Sequence, residues 1–333
     1  MRILITGGAG FVGHHLVEHI LKNTDWEVVV LDRLNYASMG FDRLHNINAF
    51  DGNRVKIFTA DFTMPIVDGL AQEIGEVDYI VHMGAETHVD NSITNPEPFV
   101  MSNVLGTMHV LNFARTQKNL KQFVYFSTDE VFGPAQEGAA YKEWDRYNSG
   151  NPYAAAKAGG EELCLAFANT YKIPMIITHT MNIFGERQHP EKFIPKVIKA
   201  ILNAEKVIIH SNKDKTKAGS RMWIHARNVA AAVLFLLKKA ETSNEWYDPD
   251  KFNIVGEKEV DNLAMAQFIA SILGLPLKYE MVDFHSSRPG HDLRYALNGE
   301  KMKKLGWSLP VDFEASLRKT IEWTLQNKKW INL

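Results

Sequence analysis

The sequence is poor in cysteine, in long apolar runs and in net charge. Cys164 is the only cysteine among 333 residues, which excludes an internal disulfide and is typical of a reducing compartment. No stretch approaches the ~20 consecutive apolar residues of a membrane-spanning helix. The formal net charge of −2 gives no electrostatic reason to expect a nucleic acid or a membrane as a partner. We therefore expect a soluble cytoplasmic protein.

Short apolar runs alternate with amphipathic helical patterns in the first half of the chain. Nearly continuous apolar strands are typical of a parallel sheet that helices cover on both faces. The pattern predicts a Rossmann-like α/β fold, a doubly wound parallel sheet that binds ligands at the carboxyl ends of its strands. The predicted strands cover residues 3–6, 27–31, 55–59, 79–82, 123–127 and 175–180, and the predicted helices cover 11–22, 98–117 and 153–171.

The regular alternation ends near residue 183. Helical patterns over 193–202, 229–240, 261–273 and 313–326 are then separated by short strands and loops, without a Pro/Gly/Ser-rich spacer between the halves. We expect a nucleotide-binding domain over residues 1–182 and a smaller mixed substrate-binding lobe over residues 183–333. The boundary is approximate and the lobes are interleaved.

A glycine-rich turn follows the first predicted strand and opens the first predicted helix, in the run Thr6-Gly7-Gly8-Ala9-Gly10-Phe11-Val12-Gly13. Its glycines permit a tight turn and close approach of the backbone to a pyrophosphate. Asp32 ends the next strand, where a carboxylate accepts hydrogen bonds from ribose and repels a 2'-phosphate. The turn therefore predicts NAD. Arg33 leaves NADP open, because a guanidinium pairs with that phosphate, and a purely structural turn is a further alternative.

The same helix contains a pattern known from metal sites. His15-Leu16-Val17-Glu18-His19 matches the His-x-x-Glu-His pattern of inverted zinc peptidases. Histidines four residues apart share a helix face and can hold zinc. The glycine turn already accounts for this helix, however, and a helix packed on a sheet forms no substrate cleft. We expect no metal site here.

Tyr153 and Lys157 begin the helix after the fifth predicted strand and, being four residues apart, share one of its faces. A free phenol has a pKa of about 10, which is too high for a base at neutral pH. A nearby ammonium and a positively charged oxidised nicotinamide both lower that pKa. We therefore expect Tyr153 to act as a base, and Lys157 to assist it and to hold the nicotinamide ribose.

Thr128-Asp129-Glu130 ends the fifth predicted strand, at the edge where the cofactor is expected. Neighbouring side chains on a strand point to opposite faces, so both acids reach one site only if the strand ends here. The run Val131-Phe132-Gly133-Pro134 indicates such an end. Two neighbouring carboxyls separate their proton affinities, which provides an acid and a base at one pH. A simple helix cap or polar turn is the alternative.

Together these residues resemble the extended short-chain dehydrogenase/reductases and, within them, the dTDP-glucose 4,6-dehydratases. The most specific part is Thr128-Asp129-Glu130, because related epimerases and decarboxylases lack the middle aspartate. The resemblance covers nearly the whole chain and includes Ala85-Glu86-Thr87-His88-Val89-Asp90, Asn151-Pro152-Tyr153, Pro190-Glu191-Lys192-Phe193-Ile194-Pro195 and Arg288-Pro289-Gly290-His291-Asp292.

The resemblance implies a lyase that converts a nucleotide-diphosphate hexose to its 4-keto-6-deoxy product, usually as a homodimer. Tyr153 would remove the C4 hydroxyl proton while C4 gives its hydride to NAD, and Thr128 would hydrogen-bond to the C4 oxygen. Glu130 would then take the C5 proton, and protonated Asp129 would donate to the departing C6 hydroxyl. The hydride would return to C6.

Binding positions also follow from the resemblance. Arginines suit the diphosphate because they offer paired donors in a fixed geometry. The cofactor positions are Gly7, Gly10, Phe11, Val12, Gly13, Asp32, Asn35, Asp61, Phe62, Ala85, Tyr153 and Lys157. The nucleotide-sugar positions are Thr87, Asn182, Lys192, Phe193, His210, Arg221, Asn253, Arg288 and His291.

The chain departs from the family at the expected nucleotide pocket. Arg221-Met222-Trp223 stands where the family usually has Arg-Asp-Trp, after a basic loop over residues 211–220. These changes leave the nucleotide base and the hexose open. One alternative is a nucleotide-sugar 4-epimerase or another member of the superfamily, which needs no acid for C6. The other is a non-catalytic NAD-binding sensor, which needs neither the Tyr153/Lys157 pair nor the two acids.

Overall fold

A seven-stranded, all-parallel sheet forms the centre of the structure, a computed structural model that describes residues 1–242, 249–283 and 294–332. Numbered in chain order, its strands are β1 (Arg2–Thr6), β2 (Glu27–Asp32), β3 (Val55–Thr59), β4 (Tyr79–His82), β5 (Gln122–Thr128), β6 (Met175–Thr180) and β11 (Asp250–Ile254). They lie in the order β3-β2-β1-β4-β5-β6-β11. The first six match the predicted strands, and the Rossmann-like doubly wound fold is confirmed.

Helices cover both faces of the sheet and make up much of the second half. No helix among the described residues is long and apolar enough to cross a membrane. In chain order they are α1 (Phe11–Asn23), α2 (Asp42–Asn46), α3 (Asp68–Ile74), α4 (Val89–Thr94), α5 (Glu97–Val100), α6 (Thr107–Ala114), α7 (Pro152–Tyr171), α8 (Phe193–Leu202), α9 (Ala226–Thr242), α10 (Asn262–Leu273), α11 (Glu300–Lys304) and α12 (Phe313–Gln326).

The apolar strands bury both of their faces, as their sequences predict. In β1, Ile3 and Ile5 belong to a core shared with α1 and α9, whereas Leu4 between them belongs to the opposite core, which includes α6. This follows because successive side chains of a strand point to opposite faces of the sheet. Because β1 lies between β2 and β4, successive crossovers leave it in opposite directions, and a crevice opens at the carboxyl ends of β1 and β4.

The second half of the chain adds two elements to this sheet-bearing part. Strand β11 pairs in parallel with β6 at the sheet edge, and α9 packs against α1. Residue 182 therefore does not separate two independent layers, and the division into residues 1–182 and 183–333 stays a prediction with an approximate boundary.

A separate apolar core brings together α8, α10 and α12. Three two-stranded sheets accompany these helices: β7 (Ile183–Phe184) with β10 (Ile224–His225), β8 (Val207–Ser211) with β13 (Tyr279–Asp283), and β9 (Ser220–Met222) with β12 (Glu259–Asp261). This smaller mixed region lies across the cleft from the glycine turn.

The single helix predicted over residues 98–117 is divided in the structure. A π-helical segment, Met101–Gly106, separates α5 from α6. In this segment the Asn103 amide donates to the Glu86 carbonyl at 3.0 Å and accepts from the Glu86 N–H at 2.9 Å. The wider turn thus brings Asn103 into contact with the loop after β4, a long-range pairing that helical periodicity does not reveal.

Candidate active site

A cleft of about 1150 Å³ runs along the carboxyl ends of the central strands, between the sheet and the smaller region. It brings together most of the residues that the sequence singled out. From the predicted cofactor and catalytic sets, the cleft is lined by Gly7, Gly10, Phe11, Val12, Gly13, Asp32, Asn35, Phe62, Ala85, Thr128, Asp129, Glu130, Tyr153 and Lys157. From the predicted substrate set, it is lined by Thr87, Asn182, Lys192, Phe193, His210 and Arg221.

The glycine turn forms one end of the cleft. Gly7 has a φ of +71°, a conformation that favours glycine. A Cβ atom on Gly13 would lie 2.1 Å from the Gly7 carbonyl oxygen, so a side chain there would disrupt the turn. Helix α1 begins at Phe11, and no side chain caps its N-terminus. Its first backbone N–H groups are therefore available to an anionic group in the cleft.

Asp32 lies at the end of β2 and shapes the turn. Its carboxylate accepts hydrogen bonds from the Ala9 N–H at 3.0 Å and the Leu34 N–H at 2.9 Å. Burial raises the pKa of Asp32, and these two backbone donors oppose that increase. The carboxylate keeps further acceptor capacity on the cleft side, where ribose hydroxyls can donate.

Arg33 is paired with acidic side chains. Its guanidinium donates to the Glu86 carboxylate and lies 3.7 Å from the Asp61 carboxylate. Asp61 itself is not among the residues that line the cleft, and its assignment to the cofactor stays a prediction. Because two carboxylates lie beside Arg33, they offset its electrostatic attraction for a 2'-phosphate.

Strand β5 ends at Thr128, and this end places both acids in the cleft. A 3₁₀ turn, Asp129–Phe132, follows directly. The Thr128 hydroxyl donates to Asp129 Oδ1 at 3.0 Å and accepts the Glu130 N–H at 3.4 Å. Thr128 thus caps the turn, as the alternative interpretation expected, while the two carboxyls still line the same cleft.

Asp129 and Glu130 have different surroundings. Burial raises the pKa of Asp129 to about 7, and the neighbouring Glu130 charge adds to this, while Arg221 opposes it. Glu130 accepts a hydrogen bond at 3.0 Å from the amide of Asn151. A protonated Asp129 beside a hydrogen-bonded Glu130 is an arrangement suited to acid and base catalysis at near-neutral pH.

Asn151 was given no role from the sequence. Its side-chain oxygen accepts the Ala154 N–H at 2.8 Å and caps α7, while its amide donates to Glu130. An asparagine directly before a proline at the first helical position is a recognisable capping signal. The sequence therefore predicts the cap, but the second bond depends on where the β5 turn lies.

Tyr153 and Lys157 line the cleft from the first turns of α7. Lys157 Nζ donates to the Phe126 carbonyl at 2.7 Å and lies 4.1 Å from the centroid of the Tyr125 ring. Burial lowers the pKa of Lys157 to about 8. The two side chains thus lie on one helix face, beside the end of β5.

The pKa of Tyr153 is raised in this structure, whereas the nearby ammonium was expected to lower it. Burial raises the pKa of this phenol well above its ordinary value, and the Glu130 charge adds to the increase, while a hydrogen bond with Thr128 opposes it. Burial outweighs the opposing hydrogen bond with Thr128 because the phenol has little contact with water.

Asn253 does not line the cleft, and its assignment to the substrate stays a prediction. It is fully buried in β11. Its amide donates to the backbone carbonyls of Tyr141 and Asn298, both at 3.0 Å, and its oxygen faces His179. All of its side-chain polar atoms are therefore occupied inside the protein. Arg288 and His291 lie outside the described residues.

Tyr295 is a cleft residue that sequence reasoning missed. Its buried ring lies under Arg221, with the guanidinium carbon 4.7 Å from the ring centroid. The ring thereby restricts the orientation of the guanidinium in the cleft. No local pattern in the sequence indicates this contact, because Tyr295 and Arg221 are far apart along the chain.

The histidines of the possible zinc pattern do not form a metal site. His15 is buried on α1, and its Nε2 lies 3.2 Å from the Glu186 carbonyl oxygen. Among the described residues, no group of three or more His, Cys, Asp or Glu side chains is arranged to hold a metal ion.

A doubly wound sheet, a glycine turn and a tyrosine–lysine pair beside two acids define a dinucleotide-binding protein with an acid–base site. The chain belongs to the NAD dependent epimerase/dehydratase family, whose pattern matches residues 3–254. This confirms the resemblance to the extended short-chain dehydrogenase/reductases.

Three relatives define the similarity further. The chain is 34% identical to the dTDP-glucose 4,6-dehydratase of Salmonella typhimurium, over 100% of this chain and 95% of that protein. It is 33% identical to a trifunctional UDP-glucose 4,6-dehydratase/3,5-epimerase/reductase of Arabidopsis thaliana, over 98% of this chain and 48% of that longer protein. The dTDP-glucose 4,6-dehydratase of Streptomyces venezuelae, solved with NAD bound, superposes with a TM-score of 0.88 at 32% identity, covering 100% of this chain and 99% of that one.

Proposed function

We propose that this chain is an NAD-dependent nucleotide-diphosphate-hexose 4,6-dehydratase, a lyase that converts dTDP-glucose or UDP-glucose to the 4-keto-6-deoxy sugar. One observation carries the proposal: Asp129, with a pKa of about 7, and Glu130 line the same cleft as Tyr153 and Lys157. A 4-epimerase has no step that needs an acid at C6, and a sensor needs no acid–base pair. Relatives with dehydratase names over the full length of the chain support the same conclusion.

The residues at the glycine end of the cleft fit NAD. The turn leaves room only for backbone at Gly13, and the N-terminus of α1 faces the expected position of a pyrophosphate. Asp32 would accept from the adenosine ribose, and Lys157 would hold the nicotinamide ribose. Arg33, paired with Glu86 and near Asp61, supports NAD over NADP. When bound, NAD would accept a hydride from the sugar and return it within one turnover.

Tyr153 would remove the proton of the C4 hydroxyl, and Thr128 would hydrogen-bond to the C4 oxygen. The raised pKa of Tyr153 means that this phenol needs further positive charge nearby to become a base at neutral pH. Lys157 and the oxidised form of the cofactor would provide that charge. Oxidation at C4 would then acidify the proton on C5.

Glu130 and Asp129 would carry out the elimination. Glu130 would take the C5 proton, and Asp129 would donate its proton to the C6 hydroxyl, so that one water leaves and a C5–C6 double bond forms. Asp129 can act as an acid near neutral pH because burial and the Glu130 charge raise its pKa to about 7. The returned hydride at C6 and a proton at C5 would complete the 4-keto-6-deoxy sugar.

Arg221 and Lys192 would hold the diphosphate at the far end of the cleft, with Asn182, Thr87, Phe193 and His210 as further contacts. Arg221 suits this role because Tyr295 supports its guanidinium from below. The exposed lysines of the loop over residues 211–220 do not line the cleft, and Lys217 pairs with Glu137 at 2.9 Å.

Incubation of the purified protein with dTDP-, UDP-, CDP- and GDP-hexoses, followed by mass analysis, tests the proposal. We expect the loss of one water from one or more of them without added reductant. An isomerised product of unchanged mass would instead identify a 4-epimerase, and tight NAD binding without turnover of any sugar would identify a sensor.

We further propose a cytoplasmic homodimer, in line with the resemblance to the family. Exposed apolar side chains at the end of α5, Val100 and Met101, are 50% and 38% exposed and lie near α7, the helix that usually takes part in the family's dimer. Light scattering of the wild type and of Val100→Glu tests the assembly. Fractionation of expressing cells tests the location, which the single free thiol, Cys164, supports.

A further inference from the structure

A second cluster of ionisable side chains lies behind the proposed catalytic residues. Its centre is Glu161 on α7, whose side chain has no exposed surface. The carboxylate accepts hydrogen bonds from the Ser127 hydroxyl at the end of β5 and from the Tyr147 hydroxyl. Glu161 does not line the cleft, so neither cofactor nor substrate explains why a carboxylate is buried there.

His179 on β6 provides the first partner charge. Its Nε2 lies 3.1 Å from Glu161 Oε2, and its Nδ1 lies 3.0 Å from the Asn253 side-chain oxygen. The two donor bonds of the Asn253 amide to backbone carbonyls fix which end of that amide faces the ring. Both imidazole nitrogens therefore lie within hydrogen-bonding distance of side-chain oxygens.

Lys251 on the edge strand β11 is the second charged partner of Glu161. Its Nζ lies 3.5 Å from Glu161 Oε2 and also donates to the Tyr147 hydroxyl. The residue is 3% exposed. A strand from the second half of the chain thus supplies a cation to the helix that bears Tyr153 and Lys157.

The cluster joins α7 to β5 in a defined register. Lys157 and Glu161 occupy successive turns of the helix, while Phe126 and Ser127 are neighbours on the strand. Lys157 donates to the Phe126 carbonyl at 2.7 Å, and Ser127 donates to Glu161. The next residue on the strand is Thr128. Sliding or rotating the helix would break both bonds, one of them to a buried charge.

We propose that Glu161, anchored by Lys251 and His179, is a positioning residue that fixes Lys157 and Tyr153 relative to the end of β5. This inference rests on the proposed function, because it concerns hydride transfer. Misplacement of reacting groups by about 1 Å can cost about a hundredfold in rate. A buried charge that fixes α7 against β5 would prevent such misplacement.

The charge of Glu161 also acts on Lys157. Burial lowers the pKa of Lys157 to about 8, and Glu161 is the main group that opposes this decrease. Loss of the Glu161 charge should therefore let Lys157 lose its proton at lower pH. The titratable groups that face Lys157 are Glu161 and Cys164 from α7, Tyr125 from β5 and His82 from β4.

The test is single-turnover hydride transfer, followed by the absorbance of reduced nicotinamide in the NAD-loaded protein with a nucleotide-hexose that the wild type converts. This readout precedes elimination and so does not depend on Asp129. We expect Glu161→Gln to slow it about tenfold, with an unchanged substrate dissociation constant and an alkaline limb moved to lower pH. Glu162→Gln is the matched control, because it removes an exposed carboxylate from the next position and should behave as the wild type.

Lys251→Met provides a second, independent variant. We expect a smaller decrease, about threefold, and a double variant no slower than Glu161→Gln alone, since the two residues act as a pair. If a folded Glu161→Gln protein transfers hydride at the wild-type rate and keeps the wild-type alkaline limb, the proposal is overturned. If that variant does not fold, an unaltered Lys251→Met protein overturns it equally. If the wild type converts none of the nucleotide-hexoses tested, the proposed function itself is rejected.

Discussion

Two buried carboxyl regions lie back to back in this protein and differ in their partners. Asp129 is 6% exposed and Glu161 is 0% exposed. Burial by itself acts to raise the pKa of both carboxyls. At Asp129 the adjacent Glu130 adds to this effect, and its pKa is about 7. At Glu161 the nearby His179 and Lys251 together with hydrogen-bond donors outweigh burial, and its pKa is about 2.

The difference shows that countercharge, rather than depth, decides what a buried acid can do. Asp129 has a like charge beside it and one opposing arginine, so it can hold a proton for transfer near neutral pH. Glu161 is saturated with donors, so it stays ionised and holds elements together. The predictions below test this contrast, beginning with the largest expected effect.

Replacement of the proposed base should give the largest loss. We expect Glu130→Gln to lower turnover by about a thousandfold, because the amide cannot take the C5 proton. Reduced nicotinamide should still form and then accumulate, since oxidation at C4 does not use Glu130. Stopped-flow absorbance together with product analysis checks both parts. Unchanged turnover would refute the role of Glu130.

Asp129 should set the pH dependence. With a pKa of about 7 in the free protein, the protonated acid is lost as the pH rises, so kcat/KM should fall by about tenfold per unit above that value. Asp129→Asn should be about a hundredfold slower at pH 6 and should lack this limb. Profiles of kcat/KM from pH 5 to 9 for the wild type and Asp129→Asn measure this pH dependence. A limb that survives in Asp129→Asn belongs to another group.

Stability should respond in opposite directions at the two carboxyls. Glu161→Gln should lower the free energy of unfolding by about 3 kcal/mol at pH 8, because it leaves buried cations unpaired. Asp129→Asn should raise it by about 1 kcal/mol at that pH, because it removes an unfavourable buried charge. Urea denaturation of both variants and the wild type measures these changes.

The pH dependence of these stabilities has opposite signs. The folded-state pKa of Asp129 is raised to about 7, so its cost to stability is present above that pH and vanishes toward the unfolded-state pKa of about 4. The folded-state pKa of Glu161 is lowered to about 2. Its contribution is therefore complete above the unfolded-state pKa and is lost as the pH falls toward 2. Equal effects of the two variants at every pH would contradict the comparison.

The smallest effect is expected at Asn151. Asn151→Ala removes both the α7 cap and the donor to Glu130, and should cost about 1 kcal/mol of stability and several-fold in turnover. Asn151→Ser is the matched control, because serine keeps the cap but lacks the amide donor. A turnover deficit of Asn151→Ser at wild-type stability would assign the deficit to Glu130; full activity would restrict Asn151 to capping.

Much of the fold and most of the cleft follow from local sequence. The six apolar runs, the glycine turn, Asp32 at the end of β2 and the end of β5 at Thr128 each have a local cause: side-chain period, backbone freedom or a turn signal. Asn253 shows what local sequence does not reveal. Its type suits a substrate contact, but only the position of β11 in the sheet reveals that it is buried.

The sequence by itself determined the order of the strands and helices, the nucleotide turn and the residue types that meet at the strand ends, because these depend on neighbours a few residues apart. Only the tertiary structure decided the π-helical segment at Asn103, the support of Arg221 by Tyr295 and the opposite pKa shifts of Asp129 and Glu161. Those features depend on groups distant along the chain, and the free energy of a buried charge is set by what surrounds it in space.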